Sequence, residues 1–230
     1  MDVSPSYIYG EKHIIKAIQD LKYQIKLLLI LRDPTERFIS FYKQGVKNGR
    51  ISIHESLNQF FQKSKLEFEK YIDNKDKKDN FYNRSLREGC YSIYLPCWIE
   101  SFNENLKIVM FDELIDNETN LIIDIYKWLG LEIFENIEEI EHSNKSYKPR
   151  SQKVSVLANK IFLKNEKIFR KHSGLKNFLK KVYLTFNIDK YELKDVDMVK
   201  KNLHQFYENY NKELIGILPE KRNIISAWLQ

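Results

Sequence analysis

Two runs of adjacent apolar residues stand out along the chain, and a helical pattern follows each of them. The runs cover residues 26–31 and 106–111. Because apolar residues occupy consecutive positions, we expect two strands covered on both faces, as in the interior of an α/β sheet. The spacing of apolar residues predicts helices over residues 34–47, 57–72, 91–103 and 118–129, with Gly130 ending the last of these. From residue 153 to Pro219 the pattern is helical almost throughout. Strands that alternate with helices predict a parallel sheet.

Composition indicates an ordinary globular chain. The 230 residues are 43% hydrophobic and 30% charged, and we expect a single domain over residues 1–230. The longest apolar run, Leu27–Leu31, is far shorter than the ~20 residues of a membrane-spanning helix. The first residues lack the pattern of a signal peptide, and Cys90 and Cys97 are too few for a disulfide scaffold. These features predict a reducing, cytoplasmic location.

The charge distribution is uneven although the net charge is only +6. Residues 100–142 contain twelve Asp or Glu and two Lys or Arg, whereas residues 143–185 contain twelve Lys or Arg and one Glu. The basic segment is therefore a candidate surface for an anion such as a nucleotide, a nucleic acid or an acidic membrane surface. The alternative is that the two segments face each other or are simply solvated.

Candidate chemistry lies where the first predicted strand ends. Asp33 is a favoured N-cap, Pro34 suits the first helical position, and Glu36 has the capping-box spacing, so Arg32 is the last strand residue. Ligands of α/β sheets bind at the carboxyl ends of strands, and a helix N-terminus attracts anions. Arg32 adds a permanent positive charge, and Ser40, two turns on, adds a hydroxyl. The alternative is that Arg32 pairs with a nearby carboxylate.

Residues 26–42 resemble the 3′-phosphate-binding signature of sulfotransferases that use 3′-phosphoadenosine 5′-phosphosulfate. In that signature an apolar strand precedes Arg-Asp-Pro, and a serine follows one or two turns later; the family's phosphate-binding Arg and Ser match Arg32 and Ser40. Further segments resemble family landmarks in the same order, and the last two resemble bacterial members: Ser4-Pro5-Ser6-Tyr7-Ile8, Gly89-Cys90-Tyr91 with Leu95, Trp98 and Phe102, Ile108-Val109-Met110-Phe111-Asp112-Glu113-Leu114, Trp128-Leu129-Gly130-Leu131, Asn144-Lys145-Ser146 and Ala227-Trp228-Leu229.

The resemblance implies a P-loop-NTPase-like three-layer parallel sheet with flanking helices and a helical C-terminal part. The family's N-terminal loop for the 5′-phosphosulfate is not found in the sequence. The nearest glycine cluster, residues 45–50, follows a helix rather than a strand. The expectation is therefore an N-terminally truncated domain, either as a fragment or with the gap filled by another strand or a partner chain.

The implied function is sulfuryl transfer from 3′-phosphoadenosine 5′-phosphosulfate to a hydroxyl or amine of a glycan, lipid or protein. Lys145 and Arg150 lie in the region where family members close the nucleotide pocket, so both are candidate cofactor-binding residues. The catalytic base is unassigned; Asp2, His13 and His142 are candidates that also fit ordinary surface roles.

The alternative function is a non-catalytic, sulfotransferase-like remnant that binds a polyanion through residues 143–185. Nucleic acid is not the expected partner. No metal is expected, because the spacing of Cys90 and Cys97 does not match that of zinc ligands and the five histidines are far apart in the sequence.

Overall fold

The computed structural model describes residues 2–73, 79–133, 148–189, 193–218 and 227–229. In chain order its elements are α1 (Glu11–Gln19), β1 (Leu27–Leu31), α2 (Pro34–Lys47), α3 (Leu57–Asp73), α4 (Phe81–Arg87), α5 (Tyr91–Phe102), β2 (Leu106–Met110), α6 (Phe111–Asp116), α7 (Glu118–Leu129), β3 (Lys148–Pro149), α8 (Gln152–Lys164), α9 (Glu166–Lys171), α10 (Ser173–Asn187), β4 (Ile188–Asp189) and α11 (Val196–Ile217). Short 3-10 helices cover Tyr7–Gly10, Asn103–Asn105 and Ala227–Leu229.

The chain divides into two compact units, each assembled from separate stretches of sequence. Unit 1 comprises Met1–Arg37, Arg87–Glu141 and Leu203–Gln230, and unit 2 comprises Phe38–Leu86 and His142–Asn202. The expectation of one sulfotransferase-like domain over residues 1–230 stays a prediction.

Unit 1 contains a small parallel sheet. Strands β1 and β2 pair in parallel, from Leu27 opposite Leu106 to Leu31 opposite Met110. A parallel pair needs a long crossover connection, and residues 32–105 supply one that contains α2 to α5. The fold is therefore α/β and mostly helical, and the two predicted strands are confirmed. The predicted bounds of α2 and α7 agree with the structure, and Gly130 ends α7 in the left-handed conformation at φ +74°.

Among the described residues, the largest buried contacts of β1 lie on the face formed by Leu27, Leu29 and Leu31. Leu31 and Met110 pack in a buried cluster with side chains of α1, α5 and α11, and Leu27 and Leu29 pack against it. On the other face, Leu28 and Ile30 are 42% and 45% exposed. The expectation that both faces of β1 would be covered was therefore wrong, because the helices of this cluster all lie on the side of Leu27, Leu29 and Leu31.

Unit 2 is held together by aromatic rings and a buried hydroxyl pair. Phe60 of α3 lies 5.1 Å from Phe38 and 5.5 Å from Tyr82 between ring centroids. The hydroxyl of Ser85 donates to that of Ser64 over 2.9 Å, so both buried polar groups have a partner.

The last part of the chain is helical, as predicted, apart from a short antiparallel pair of β3 and β4. Lys148 pairs with Asp189 and Pro149 with Ile188. Helices α8, α9 and α10 connect the two strands along the chain. The predicted end at Pro219 lies outside the described residues.

Replacing Gly89 with alanine is expected to destabilise unit 1. A Cβ at this position would lie 2.7 Å from the hydroxyl oxygen of Tyr207 and 2.8 Å from two of its ring carbons. Tyr207 is fully buried, so the ring has little room to move. We expect Gly89→Ala to lower the free energy of unfolding by about 1–3 kcal/mol in chemical denaturation.

Gly216→Ala is the matched control, because an added Cβ at this position of α11 meets no atom within 4 Å. Alanine favours a helix over glycine, so this variant should be neutral or slightly stabilised. Equal stability of the Gly89→Ala variant and the unchanged protein would contradict the contact with Tyr207.

Candidate functional site

The junction between β1 and α2 has the helix start that the sequence predicts. Asp33 Oδ1 accepts a hydrogen bond from the backbone N–H of Thr35 over 2.8 Å, which is the bond expected of an N-cap residue. The backbone carbonyl of Asp33 accepts from the N–H of Arg37 over 2.8 Å, the first bond of the helix. Arg32 therefore stands between the last residue of β1 and a capped helix N-terminus.

Arg32 lies over an aromatic ring. Its guanidinium carbon is 5.2 Å from the ring centroid of Phe111. The parallel register explains this contact, since Leu31 is opposite Met110 and the next residue of each chain segment meets at the carboxyl edge of the sheet. Within the described part of the chain, Arg32 forms no salt bridge with a carboxylate. The ring supports the charge from one side without neutralising it, and the guanidinium remains suited to an anion.

The backbone at Arg32 is held by α5. The hydroxyl of Tyr91 donates to the carbonyl oxygen of Arg32 over 3.0 Å. Tyr91 is buried, and burial raises the pKa of its phenol, so the hydroxyl keeps its proton at neutral pH. Tyr91 is thus a positioning residue for Arg32.

Arg37, one turn into α2, has a different environment. Its guanidinium Nη1 lies 3.3 Å from Glu88 Oε2, and the two side chains are only 15% and 7% exposed. The carbonyl of Glu88 accepts from the hydroxyl of Tyr9 over 3.0 Å. Buried and paired in this way, Arg37 serves the structure, and Arg32 is the arginine of the junction that is suited to a ligand.

Asp33 itself is partly withdrawn from water. Burial raises the pKa of its carboxyl group, while the N–H of Thr35 and the nearby His204 act in the opposite direction. The cap is therefore a carboxylate whose charged form is disfavoured by burial and retained by its hydrogen bond.

The other candidate residues are placed as follows. Ser40 is half-buried on α2 and belongs to unit 2, whereas Arg32 belongs to unit 1. The side chain of Arg150 is exposed just before α8, and the backbone N–H of Arg150 donates to the backbone carbonyl of Asn187 over 3.1 Å. Lys145 lies outside the described residues. The binding roles of these three residues stay predictions.

The structure does not assign the role of catalytic base to any of the three candidates. Asp2 accepts a hydrogen bond of 2.5 Å from the hydroxyl of Tyr7 at an exposed position, and His13 is exposed on α1. His142 lies outside the described residues. The catalytic base stays unassigned.

Sequence reasoning missed the roles of Phe111 and Glu88. Both contacts are long-range: Glu88 is 51 residues from Arg37, and Phe111 reaches Arg32 only through the pairing of β1 with β2. The sequence signal for these two residues was their place relative to the family landmarks. Phe111 lies within the landmark at the end of the second strand, and Glu88 directly precedes the landmark that begins at Gly89.

The described residues lack two further features. They contain no group of three or more His, Cys, Asp or Glu side chains placed to hold a metal ion. Among the helices of these residues, none combines the length and the apolar character needed to cross a membrane.

An arginine that forms no salt bridge within the described residues, at the carboxyl end of a parallel strand and beside a helix N-terminus, defines an α/β protein with a candidate anion-binding site. A family model described as "Sulfotransferase domain" matches residues 14–206. The chain therefore belongs to the sulfotransferase family, and the resemblance in its sequence is confirmed.

Two individual proteins are similar to this chain. Heparan sulfate glucosamine 3-O-sulfotransferase 5 from Mus musculus is 32% identical over 133 residues, which cover 57% of this chain and 36% of that protein. The chain thus spans well under half the length of this curated relative. A crystal structure of a sulfotransferase from Alicyclobacillus acidocaldarius is 18% identical with a TM-score of 0.46, over 61% of this chain and 52% of that one.

Substitutions of Asp33 should separate its capping role from its charge. Asp33→Ala removes the acceptor for the N–H of Thr35 and should lower the free energy of unfolding by about 1 kcal/mol. Asp33→Asn keeps an acceptor without a charge to bury, so at neutral pH it should be at least as stable as the unchanged protein.

The two proteins should also differ in pH dependence. Because the carboxyl pKa of Asp33 is raised on folding, the unchanged protein loses stability relative to Asp33→Asn as pH rises from the unfolded to the folded pKa. Denaturation at a series of pH values measures this difference. A difference that grows as pH falls would contradict the assigned direction.

Proposed function

We propose that this chain is a sulfotransferase domain whose donor is 3′-phosphoadenosine 5′-phosphosulfate and whose acceptor is a hydroxyl or amine group. The observation that carries the proposal is Arg32, which stands at the carboxyl end of β1 over Phe111 and forms no salt bridge within the described residues. Membership of the sulfotransferase family supports the 3′-phosphate of the donor as the ligand proposed for this charge.

Arg32 and Ser40 are proposed to bind the 3′-phosphate. The guanidinium of Arg32 supplies charge-assisted hydrogen bonds, and Ser40, two turns into α2, supplies a hydroxyl donor. Lys145 and Arg150 are proposed as further donor-binding residues from their region of the sequence. The finer fold proposed with this function is a P-loop-like three-layer sheet, of which β1 and β2 would form part.

In the proposed reaction, the acceptor oxygen or nitrogen attacks the sulfur atom while the bond from sulfur to the 5′-phosphate oxygen breaks. Adenosine 3′,5′-bisphosphate leaves, and a base takes the proton of the acceptor. As in phosphoryl transfer, positioning of donor and acceptor and neutralisation of oxygen charge lower the barrier. Arg32 contributes by holding the donor through a phosphate remote from the reacting sulfur.

A glycan hydroxyl is the acceptor class proposed first. The similar mouse protein carries the name heparan sulfate glucosamine 3-O-sulfotransferase 5. A hydroxyl or amine on a lipid or protein fits the same chemistry.

Binding of adenosine 3′,5′-bisphosphate tests the site directly. In isothermal titration calorimetry, Arg32→Ala should weaken binding by about 10–100-fold, because a charge-assisted contact to phosphate is lost. Ser40→Ala, which loses a neutral donor, should weaken binding by about 3–10-fold. Adenosine 5′-phosphosulfate lacks the 3′-phosphate, so its affinity should be nearly unchanged by either substitution.

Arg50→Ala is a matched control for the loss of an arginine from an aromatic ring. The guanidinium carbon of Arg50 lies 5.7 Å from the ring centroid of Phe81, but Arg50 follows no strand. This variant should bind adenosine 3′,5′-bisphosphate as tightly as the unchanged protein. If Arg32→Ala and Ser40→Ala both bind normally, the proposed site is wrong. Transfer of radiolabelled sulfate from the donor to a desulfated heparan-type glycan separates an enzyme from a non-catalytic binding domain.

A further inference from the structure

Helix α8 in unit 2 exposes an apolar stripe to solvent. Val154, Leu157 and Ile161 follow one another at helical spacing, and all three are exposed, Leu157 to 59%. The packed side of the helix lies about a third of a turn away from the stripe, since Ser155 is buried and Phe162 lies 4.9 Å from Phe169 between ring centroids. Helix α8 therefore carries an apolar stripe that its packing in unit 2 leaves exposed.

Helix α10 exposes a longer apolar stripe. Its exposed apolar residues recur at the spacing of one helical face: Leu175, Phe178, Leu179, Val182 and Phe186. The two phenylalanines are 63% and 74% exposed. Single exposed apolar residues are common, but a continuous row of five on one helix is the mark of an interaction surface.

The two stripes face the same side. The N–H of Ser151 donates to Asn187 Oδ1 over 2.8 Å, and the hydroxyls of Ser155 and Tyr183 are 2.9 Å apart, so α8 and α10 run antiparallel. Successive residues of a helix are rotated by about 100° around its axis. Counted against the direction of this rotation, the centre of the α8 stripe lies about a third of a turn from Ser155, and the centre of the α10 stripe lies about a quarter of a turn from Tyr183. Ser155 and Tyr183 mark the contact between the two helices. Because the helices are antiparallel, displacement from this contact in the same rotational sense places both stripes on the same side of the helix pair.

The same segment is strongly basic. Residues 152–187 contain nine Lys or Arg and one Glu. Lys153, Lys160 and Lys164 form a row on α8 directly beside the apolar stripe, and all three are exposed. We call these three lysines and the eight apolar residues of the two stripes the α8–α10 surface.

We propose that the α8–α10 surface docks on an anionic lipid bilayer, with the two helices lying in the plane of the membrane interface. A soluble polyanion would neutralise the lysines but leave the apolar stripes in water. A second apolar protein surface would cover the stripes but leave the lysines without acidic partners. Acidic headgroups above an acyl boundary satisfy both groups at once. This interaction does not depend on the proposed sulfuryl transfer.

Vesicle co-sedimentation of the full chain tests the proposal. Vesicles of phosphatidylcholine alone are compared with vesicles that contain about 30% phosphatidylglycerol, at low and at high salt. We expect partitioning at least about tenfold stronger onto the anionic vesicles, and weaker binding at high salt, because the lysines act through screened charge.

Two sets of substitutions separate the apolar from the basic contribution. The double variant Phe178→Ser and Phe186→Ser should lower partitioning by about tenfold or more, because two rings no longer enter the interface. The triple variant Lys153→Gln, Lys160→Gln and Lys164→Gln should lower it by a similar factor and reduce the preference for anionic lipid. Leu66→Ser is the matched control, since Leu66 of α3 is 51% exposed in the same unit but lies outside the surface.

Three results would overturn the proposal. The first is no partitioning of the unchanged protein onto either vesicle. The second is partitioning that the phenylalanine variant retains in full, together with tight, salt-dependent binding to heparin, which would mean a soluble polyanion as the ligand. The third is a dimer in analytical ultracentrifugation that becomes a monomer in the phenylalanine variant, which would mean that a second copy covers the stripes. Thermal melts of all variants by circular dichroism verify that each is folded.

Discussion

The buried ion pair between Arg37 and Glu88 is the constraint on which the strand–helix junction depends. Two charges withdrawn from water are costly, and removal of one partner from such a pair typically destabilises a protein by about 3–5 kcal/mol. The pair joins the first turn of α2 to the residues just before α5, where Gly89 lies against the ring of Tyr207. The first turn of α2 is therefore held to the segment just before α5.

This arrangement gives the two arginines of the junction opposite roles. Arg37 is neutralised inside unit 1, so its charge is used to hold helices together. Arg32 rests on an aromatic ring and has its backbone held by Tyr91, so its guanidinium is positioned without being neutralised. A positioned charge at the end of a parallel strand suits a phosphate group, and this is the basis for the proposed binding of the donor's 3′-phosphate by Arg32.

The helices of residues 152–187 present a different kind of surface from the junction of β1 and α2. Their apolar residues are regularly spaced, as in helices that pack on a core, yet the stripes on α8 and α10 point to solvent. Their lysines lie beside the stripes rather than opposite them on α8. A surface that is both apolar and basic differs in kind from the proposed donor site, which is centred on Arg32 at the end of a strand, so the two can be tested separately.

Local features of the sequence determined the secondary structure. The apolar runs predicted β1 and β2, the Asp33-Pro34 start predicted α2, and Gly130 marked the end of α7, because each depends on neighbouring residues alone. The ordered landmarks also indicated the family. Only the tertiary structure decided that Glu88 neutralises Arg37, that Phe111 lies beneath Arg32, and that one face of β1 and the stripes of α8 and α10 are exposed. Those outcomes depend on which distant segments meet, and hydrophobic periodicity shows that a face is apolar without specifying what covers it.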